Sequence, residues 1–314
     1  SYLQTNVDKN STPGRYVLTG SQQFLLNSKI SQSLAGRCAR LTLLPLSLAE
    51  LHKRPAQEIW QKNKLIKINK PVNDYSYYLY KGLYPRIHEN NLDPRQFYRD
   101  YIDTYVTKDL QELLHVSDLK TFTTFLRMIA GRCGQKVNLT SLGNDLGISH
   151  TTIKRWLHVL EASYIIILLE PYYNNFNKRL IKTPKIYFLD PGLLCYLLRI
   201  TNEKDVQTNP FLGGIFETFI ISELIKHYYH HDMKPPIYFW QDRSKHEIDV
   251  ILENVIQRQL PIEIKSAKTV SNNFLNNINY WLKNNTNNDG FLIYGGSNWN
   301  KRNNIQIIPW FGVS

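Results

Sequence analysis

The feature that most constrains this 314-residue chain is a pair of short apolar strands near its end, HEIDVIL and LPIEIK, each interrupted by charge. A strand turns successive side chains to opposite faces. Glu263 and Lys265 therefore emerge on one side of PIEIK while Ile262 and Ile264 enter a core, and Asp249 obeys the same logic between Ile248 and Val250. If the two strands pair through the hairpin between them, Asp249 and Glu263 converge on one point, where carboxylate oxygens suit a divalent cation such as Mg2+. Lys265, one pitch along, is placed to orient an attacking water or to steady transition-state charge. Glu217 can reach in from the preceding helix as a further metal ligand.

Around this pair the order is helix, three strands, helix, strand, and a closing strand, beginning with GGIFETFIISELIKHYY at Gly213. That order describes a small mixed sheet with flanking helices, a domain over 211–314. With 42% apolar and 20% charged residues the whole chain can fill several cores, so it reads as a multi-domain α/β protein. No apolar stretch approaches the ~20 residues of a membrane span. Nothing near Ser1 combines a basic start, an apolar stretch and a small-residue cleavage site. Three scattered cysteines, Cys38, Cys133 and Cys195, form neither a disulfide framework nor a zinc site and point to a reducing cytoplasm. The net charge of +12 lies almost wholly in residues 1–210, which fits either a polyanionic partner or a solvated basic surface with none.

The middle of the chain has a sharp local pattern. Leu139–Leu146 predicts a short helix, Gly147 and Ile148 a turn, and Ser149 the cap of a second helix to Glu161 whose inner face is Ile153, Leu157 and Leu160. The strands 164–169 and 185–189, joined by the Asn-rich loop YYNNFNKR, would add a wing, making a winged helix over 135–210. His150, Thr151, Lys154, Arg155 and His158 point away from the apolar face, where a recognition helix meets a DNA groove. The alternative is a winged helix kept as a packing module. Upstream, helical spacing of Tyr98, Tyr101, Ile102, Leu110 and Leu113 predicts a helical region over 93–134. RYVLTGS (15–21) reads as a strand before a helix at 22–34, and RLTLLPLSL (40–48) as an edge strand because of Pro45. The tyrosines read as core packing. His227 and His231, at i, i+4, read as solvated residues rather than metal ligands.

Two resemblances rest on these residues. An acidic residue followed by ExK on the next strand resembles the PD-(D/E)XK nuclease superfamily over about the last hundred residues, with Ile248 where its pattern has proline. The resemblance implies either metal-dependent DNA cleavage by Asp249, Glu263 and Lys265, with Mg2+ held by Glu217, Asp249 and Glu263, or a degenerate scaffold. Over nearly the whole chain, RYVLTGSQQF, SLAGR, LLPLSLAEL, YPR, ISHTTIKRWLHVLEASYII and FLDPGLL, followed by the ExK domain, look like the bacterial AAA-type ATPases that carry a C-terminal domain of unknown function related to nucleases. That resemblance implies ATP as cofactor, the end of a nucleotide domain over 1–92, a helical lid over 93–134, Ser21 near the γ-phosphate, and Arg37 facing phosphate or a neighbouring protein subunit.

The chain departs from those relatives at the decisive place. No GxxxxGK[ST] occurs in it, and no apolar strand ending in Asp-Glu precedes Tyr2. Without the Gly-rich loop and its lysine there is no phosphate cradle, and without the acid no magnesium ligand. The chain thus reads as the back portion of a longer ATPase, or a remnant, that does not hydrolyse ATP by itself. Three roles stay open: a nucleic-acid- or partner-associated part of an ATP-binding protein, a magnesium-dependent nuclease, and a noncatalytic interaction module.

Overall fold

The computed structural model describes residues 2–10, 12–18, 38–39, 41–56, 67–104, 119–173, 182–253, 259–285 and 289–314. Ser21, Arg37 and the helix expected at 22–34 lie outside the described residues.

The regular elements described in the N-terminal third are helices. Helix α1 (Tyr2–Lys9) is followed by residues 15–18, which join no strand and stay exposed. Residues 41–47 also form no strand, with Leu41 82% and Leu43 92% exposed. Both stretches were expected to be β. Alternation alone makes no strand: an extended segment needs a ladder partner to satisfy its backbone, and none faces these residues among those described. The segment ends in α2 (Leu48–Leu51), started by a full capping box between Ser47 and Glu50. Then α3 (Tyr75–Lys81), α4 (Pro85–Glu89) and α5 (Pro94–Tyr101) follow, the last two opened by proline at the first turn.

The central region is a compact helical block with a ribbon. Helix α6 (Leu119–Ala130) buries Phe122, Phe125 and Leu126. Helices α7 (Leu139–Leu146) and α8 (His150–Ala162) are capped by Asn138, which accepts from Ser141 N at 2.9 Å, and by Ser149, which accepts from Thr152 N at 3.1 Å. Gly147 joins them at φ +68°, a left-handed turn glycine adopts without strain. Strands β1 (Ile166–Leu169) and β2 (Lys185–Phe188) pair antiparallel into a two-stranded ribbon.

Asp190 fastens this block to what precedes it. Its buried carboxylate caps α9 (Pro191–Leu197) through Leu193 N at 2.9 Å and accepts Leu83 N at 2.7 Å and the Tyr98 hydroxyl at 2.6 Å. After α10 (Glu203–Thr208) comes α11 (Leu212–His230), apolar around its circumference and almost entirely buried, as a helix flanked on all sides must be.

The C-terminal sheet is built on α11. Strands β3 (Ile237–Gln241), β4 (Glu247–Glu253) and β5 (Gln259–Lys265) run antiparallel in turn. A 3-10 turn and α12 (Asn276–Asn284) cross to β6 (Gly290–Tyr294), parallel to β5. The chain closes with β7 (Asn300–Arg302) and β8 (Ile305–Pro309), and the sheet order is β3-β4-β5-β6-β8-β7. Ile262, Ile264 and Ile293 pack with Phe216, Phe219 and Ile220 of α11; Leu292 and Ile307 pack with Ile278 and Trp281 of α12. Both faces are therefore covered.

Helix α11 also grips the segment leading into α2. Glu223 and Lys226, both wholly buried, pair at 2.9 Å; Leu48 N donates to Glu223 Oε2 at 2.8 Å, and Lys226 Nζ donates to Leu46 O at 3.0 Å. The chain's end joins the same grip, since Ala49 N donates to Ser314 Oγ at 3.0 Å and Arg54 donates to Phe311 O and Ser314 O.

Candidate functional site

The two C-terminal strands splay where their charged residues begin. The β4–β5 ladder ends at Val250 opposite Ile262, and beyond it the Asp249 carboxylate takes the place of a backbone acceptor, receiving Ile264 N at 2.8 Å. Lys265 Nζ donates to Asp249 Oδ2 at 3.1 Å and to Glu263 Oε2 at 2.7 Å. The structure thus brings Asp249, Glu263 and Lys265 into one cleft. Glu217 of α11 borders it, its Oε2 accepting the Tyr187 hydroxyl at 3.0 Å.

Four further residues enter that sequence reasoning did not assign. Lys185 and Tyr187 come from β2, and Lys185 is ion-paired with Glu247 of β4. Gln241 donates to the other Glu247 oxygen at 2.8 Å. The available signal was the alternation of Lys185 and Tyr187 on a short apolar strand, which puts both on one face. What that face meets is set by tertiary packing. Gly134 (φ +80°) lets the adjoining loop approach, since a Cβ there would stand 3.2 Å from Glu217 Oε2.

Burial sets the electrostatics of the cleft. Asp249 and Glu263 are 5% and 1% exposed. Burial, with the Asp249 charge added, drives Glu263 well above the usual carboxylate range. Burial pushes Asp249 the same way, but Lys265, the Glu263 carboxyl, Lys185 and Ile264 N–H outweigh it and hold Asp249 below its ordinary value. Burial and Asp249 raise Glu217 to about 7. The carboxylates hold Lys265 and Lys185 above the ordinary lysine range against the opposing effect of burial.

This arrangement does not fit a divalent cation as it stands. Asp249 Oδ2, Glu263 Oε2 and Glu217 Oε2 are each engaged by N–H or O–H donors, and two ammonium groups already offset the negative charge. Among the described residues no group of three or more His, Cys, Asp or Glu is disposed to hold a metal ion.

A second surface lies on α8. His150, Thr151, Lys154, Arg155 and His158 are all exposed, while Ile153, Trp156, Leu157, Val159 and Leu160 are buried beneath them. Along one flank a cavity of about 820 Å³ opens between α8, the loop before α7 and the ribbon, lined among others by Lys136, Lys154, His158, Glu161, Glu170 and Lys182. Burial and the neighbouring Glu170 raise the Glu161 carboxyl. Elsewhere, His227 is 4% exposed rather than solvated, because the all-round apolar α11 carries it into the core. The tyrosines Tyr75, Tyr78 and Tyr98 are core residues.

Comparison with known proteins places these features in three successive matches. A family model described as an AAA domain matches residues 1–52, a domain of unknown function (DUF8612) matches residues 72–204, and a second domain of unknown function (DUF4143) matches residues 212–311. An uncharacterized protein of Mycobacterium tuberculosis is 28% identical over 271 residues, covering 86% of this chain and 56% of the relative, and one of Mycobacterium bovis gives the same figures. An uncharacterized protein of Haemophilus influenzae is 27% identical over 185 residues, covering 56% of this chain and 44% of its own. The chain therefore spans about half the length of the curated relatives it matches. No solved structure gives a significant match. No helix among the described residues is long and apolar enough to cross a membrane. The chain is thus similar to an AAA domain at its N-terminal end and ends in a domain whose function is unassigned.

Proposed function

We propose that this chain is the rear portion of an AAA-type ATP-binding protein and that it contacts nucleic acid through the exposed face of α8. In this reading residues 1–92 end the nucleotide domain, 93–134 form a helical lid, 135–210 a winged helix, and 211–314 a nuclease-like domain. ATP and its Mg2+ belong to the whole protein's nucleotide site, with Ser21 and Arg37 toward the phosphates. This chain, having no GxxxxGK[ST] loop, hydrolyses no ATP.

The observation that carries the reading is the division of α8 into two faces. Its polar, partly basic residues are exposed together on a helix that begins at a left-handed turn and stands beside a ribbon, the geometry of a recognition helix. The chain's net charge of +12 adds a long-range field of the right sign.

The test is the affinity for duplex DNA across a salt series, in the full chain and in Lys154→Ala with Arg155→Ala. Two lost phosphate contacts should weaken binding and flatten the log–log salt slope by about two. An unchanged slope would remove α8 as a reader and leave a noncatalytic module for other protein subunits. A second reading, magnesium-dependent cleavage by Asp249, Glu263 and Lys265, draws support from their convergence. It requires Mg2+-dependent nicking of DNA that Glu263→Ala abolishes.

A further inference from the structure

The turn between β3 and β4 lays a histidine flat against α12. The His246 ring stacks on the Tyr280 ring with centres 3.8 Å apart and planes 11° apart. Asp242 fastens both, its carboxylate accepting His246 Nδ1–H at 3.0 Å and His246 N–H at 2.9 Å as well as the Tyr280 hydroxyl. The turn is closed by Asp242 N donating to His246 O at 3.0 Å, and Lys245 within it holds a left-handed φ of +68°. Trp240 of β3 stands alongside, its ring centre 6.4 Å from that of Tyr280 and 4.8 Å from that of the buried Trp281. The ring pair is firmly held, yet 39% of the His246 side chain and 36% of Tyr280 stay exposed.

The rim of this pair is cationic. Arg243 and Lys245 of the turn and Lys283 of α12 are exposed, and none of the three makes an ion pair among the described residues. The acids beside them in sequence are already engaged, Asp242 by the two rings and Glu247 by Lys185 and Gln241. No Asp or Glu occurs between Glu263 and Asp289, so α12 presents Asn276, Asn279 and Lys283 beside Tyr280 at helical spacing with no opposing charge. Single exposed aromatics are ordinary, but flat paired rings edged by cations and amides match a ligand that carries planar rings and phosphates together. In a single strand the bases are open to stack on Tyr or His and to hydrogen-bond polar side chains with their edges. In a duplex they are stacked on one another already, so this surface suits the single strand.

We propose that the β3–β4 turn and α12 form a platform for single-stranded nucleic acid, on which a base stacks against the Tyr280–His246 pair while Arg243, Lys245 and Lys283 hold the neighbouring phosphates. The surface uses no residue of α8 and does not rest on that helix reading DNA.

The probes are fluorescein-labelled oligo(dT) and oligo(U) of about twelve nucleotides, enough to cross one such surface. Anisotropy is read on the full chain with Lys154→Ala and Arg155→Ala already in place, so that α8 does not contribute. This parent should bind at least one of the two, and the tighter identifies the strand as DNA or RNA. Tyr280→Ala should weaken binding about 5- to 150-fold, the worth of one base–aromatic stack, whereas Tyr280→Phe, which keeps the ring, should stay within about twofold of the parent. Arg243→Ala with Lys245→Ala should flatten the log–log salt slope by about 1.4. An abasic oligomer of the same length should bind the parent no better than oligo(dT) binds Tyr280→Ala. A parent that binds neither oligomer would overturn the proposal, as would an abasic strand held as tightly as oligo(dT), the mark of a bare charge patch. So would a folded Tyr280→Ala with unchanged affinity, or a Tyr280→Phe that loses as much as Tyr280→Ala. If Tyr280→Ala does not fold, the abasic strand and the exposed Arg243–Lys245 pair decide the matter by the same readouts.

Discussion

Loss of either charge in the Glu223–Lys226 pair should loosen the joint between the AAA-like segment and the C-terminal domain. Both side chains are 0% exposed, so neither can turn to water when its partner goes. Glu223→Leu leaves the Lys226 ammonium buried with Leu46 O as its remaining partner, and strips the acceptor from Leu48 N. Lys226→Leu leaves the Glu223 carboxylate with Leu48 N as its remaining hydrogen-bond donor and the Arg54 guanidinium as its remaining nearby cation. An uncompensated buried charge costs about 3–5 kcal/mol, so each single variant should lose that much. The double variant buries no charge, yet leaves Leu48 N–H and Leu46 C=O without partners at about 1–3 kcal/mol each. Simple addition of the singles would give about 6–10 kcal/mol against an expected loss of about 2–6, a coupling of several kcal/mol. Urea unfolding followed by tryptophan fluorescence measures all four proteins. A double variant whose loss equals the sum of the singles would show that the pair does not act as a unit.

Asp190→Asn should lower stability by about 2–4 kcal/mol in the same assay, because three bonds to one buried carboxylate lose their charge assistance and one amide edge turns donor toward donors. Burial, reinforced by His231 and His230, lowers His227 to about 4, so the folded ring is neutral where an unfolded histidine is charged. The unfolded chain then binds the extra proton between about pH 6.5 and 4, and stability falls as pH drops through that window, by at most about 3 kcal/mol. His227→Gln should remove that part of the slope; an unchanged profile from pH 4 to 7 would refute the assignment.

The parts legible in the sequence are those whose signals are local. Asn138, Gly147 and Ser149 mark the ends of α7 and α8 by side-chain caps and a left-handed turn, and these act within three residues of the chain. Alternation placed Glu263 and Lys265 together on β5. What was not legible depends on partners far away. Residues 41–44, mostly leucine, have strand character but no ladder partner among the described residues, and polar β7 exists only because β8 lies beside it. Lys185 reads as a wing residue until the ribbon is folded against β4, where it pairs with Glu247, 62 residues on.

Helix α11 ties these observations together mechanically. Glu217 meets the ribbon's Tyr187, and Glu223, six residues on, holds Leu48. At 1.5 Å per residue the two attachments are about 9 Å apart along one rigid axis. That axis is buried on every side by the C-terminal sheet, α9 and α3. A displacement of residues 46–48, the stretch arriving from the AAA-like segment, therefore cannot be absorbed by bending α11. It must either break the Glu223–Lys226 grip or move the helix, and moving the helix shifts Glu217 against Tyr187.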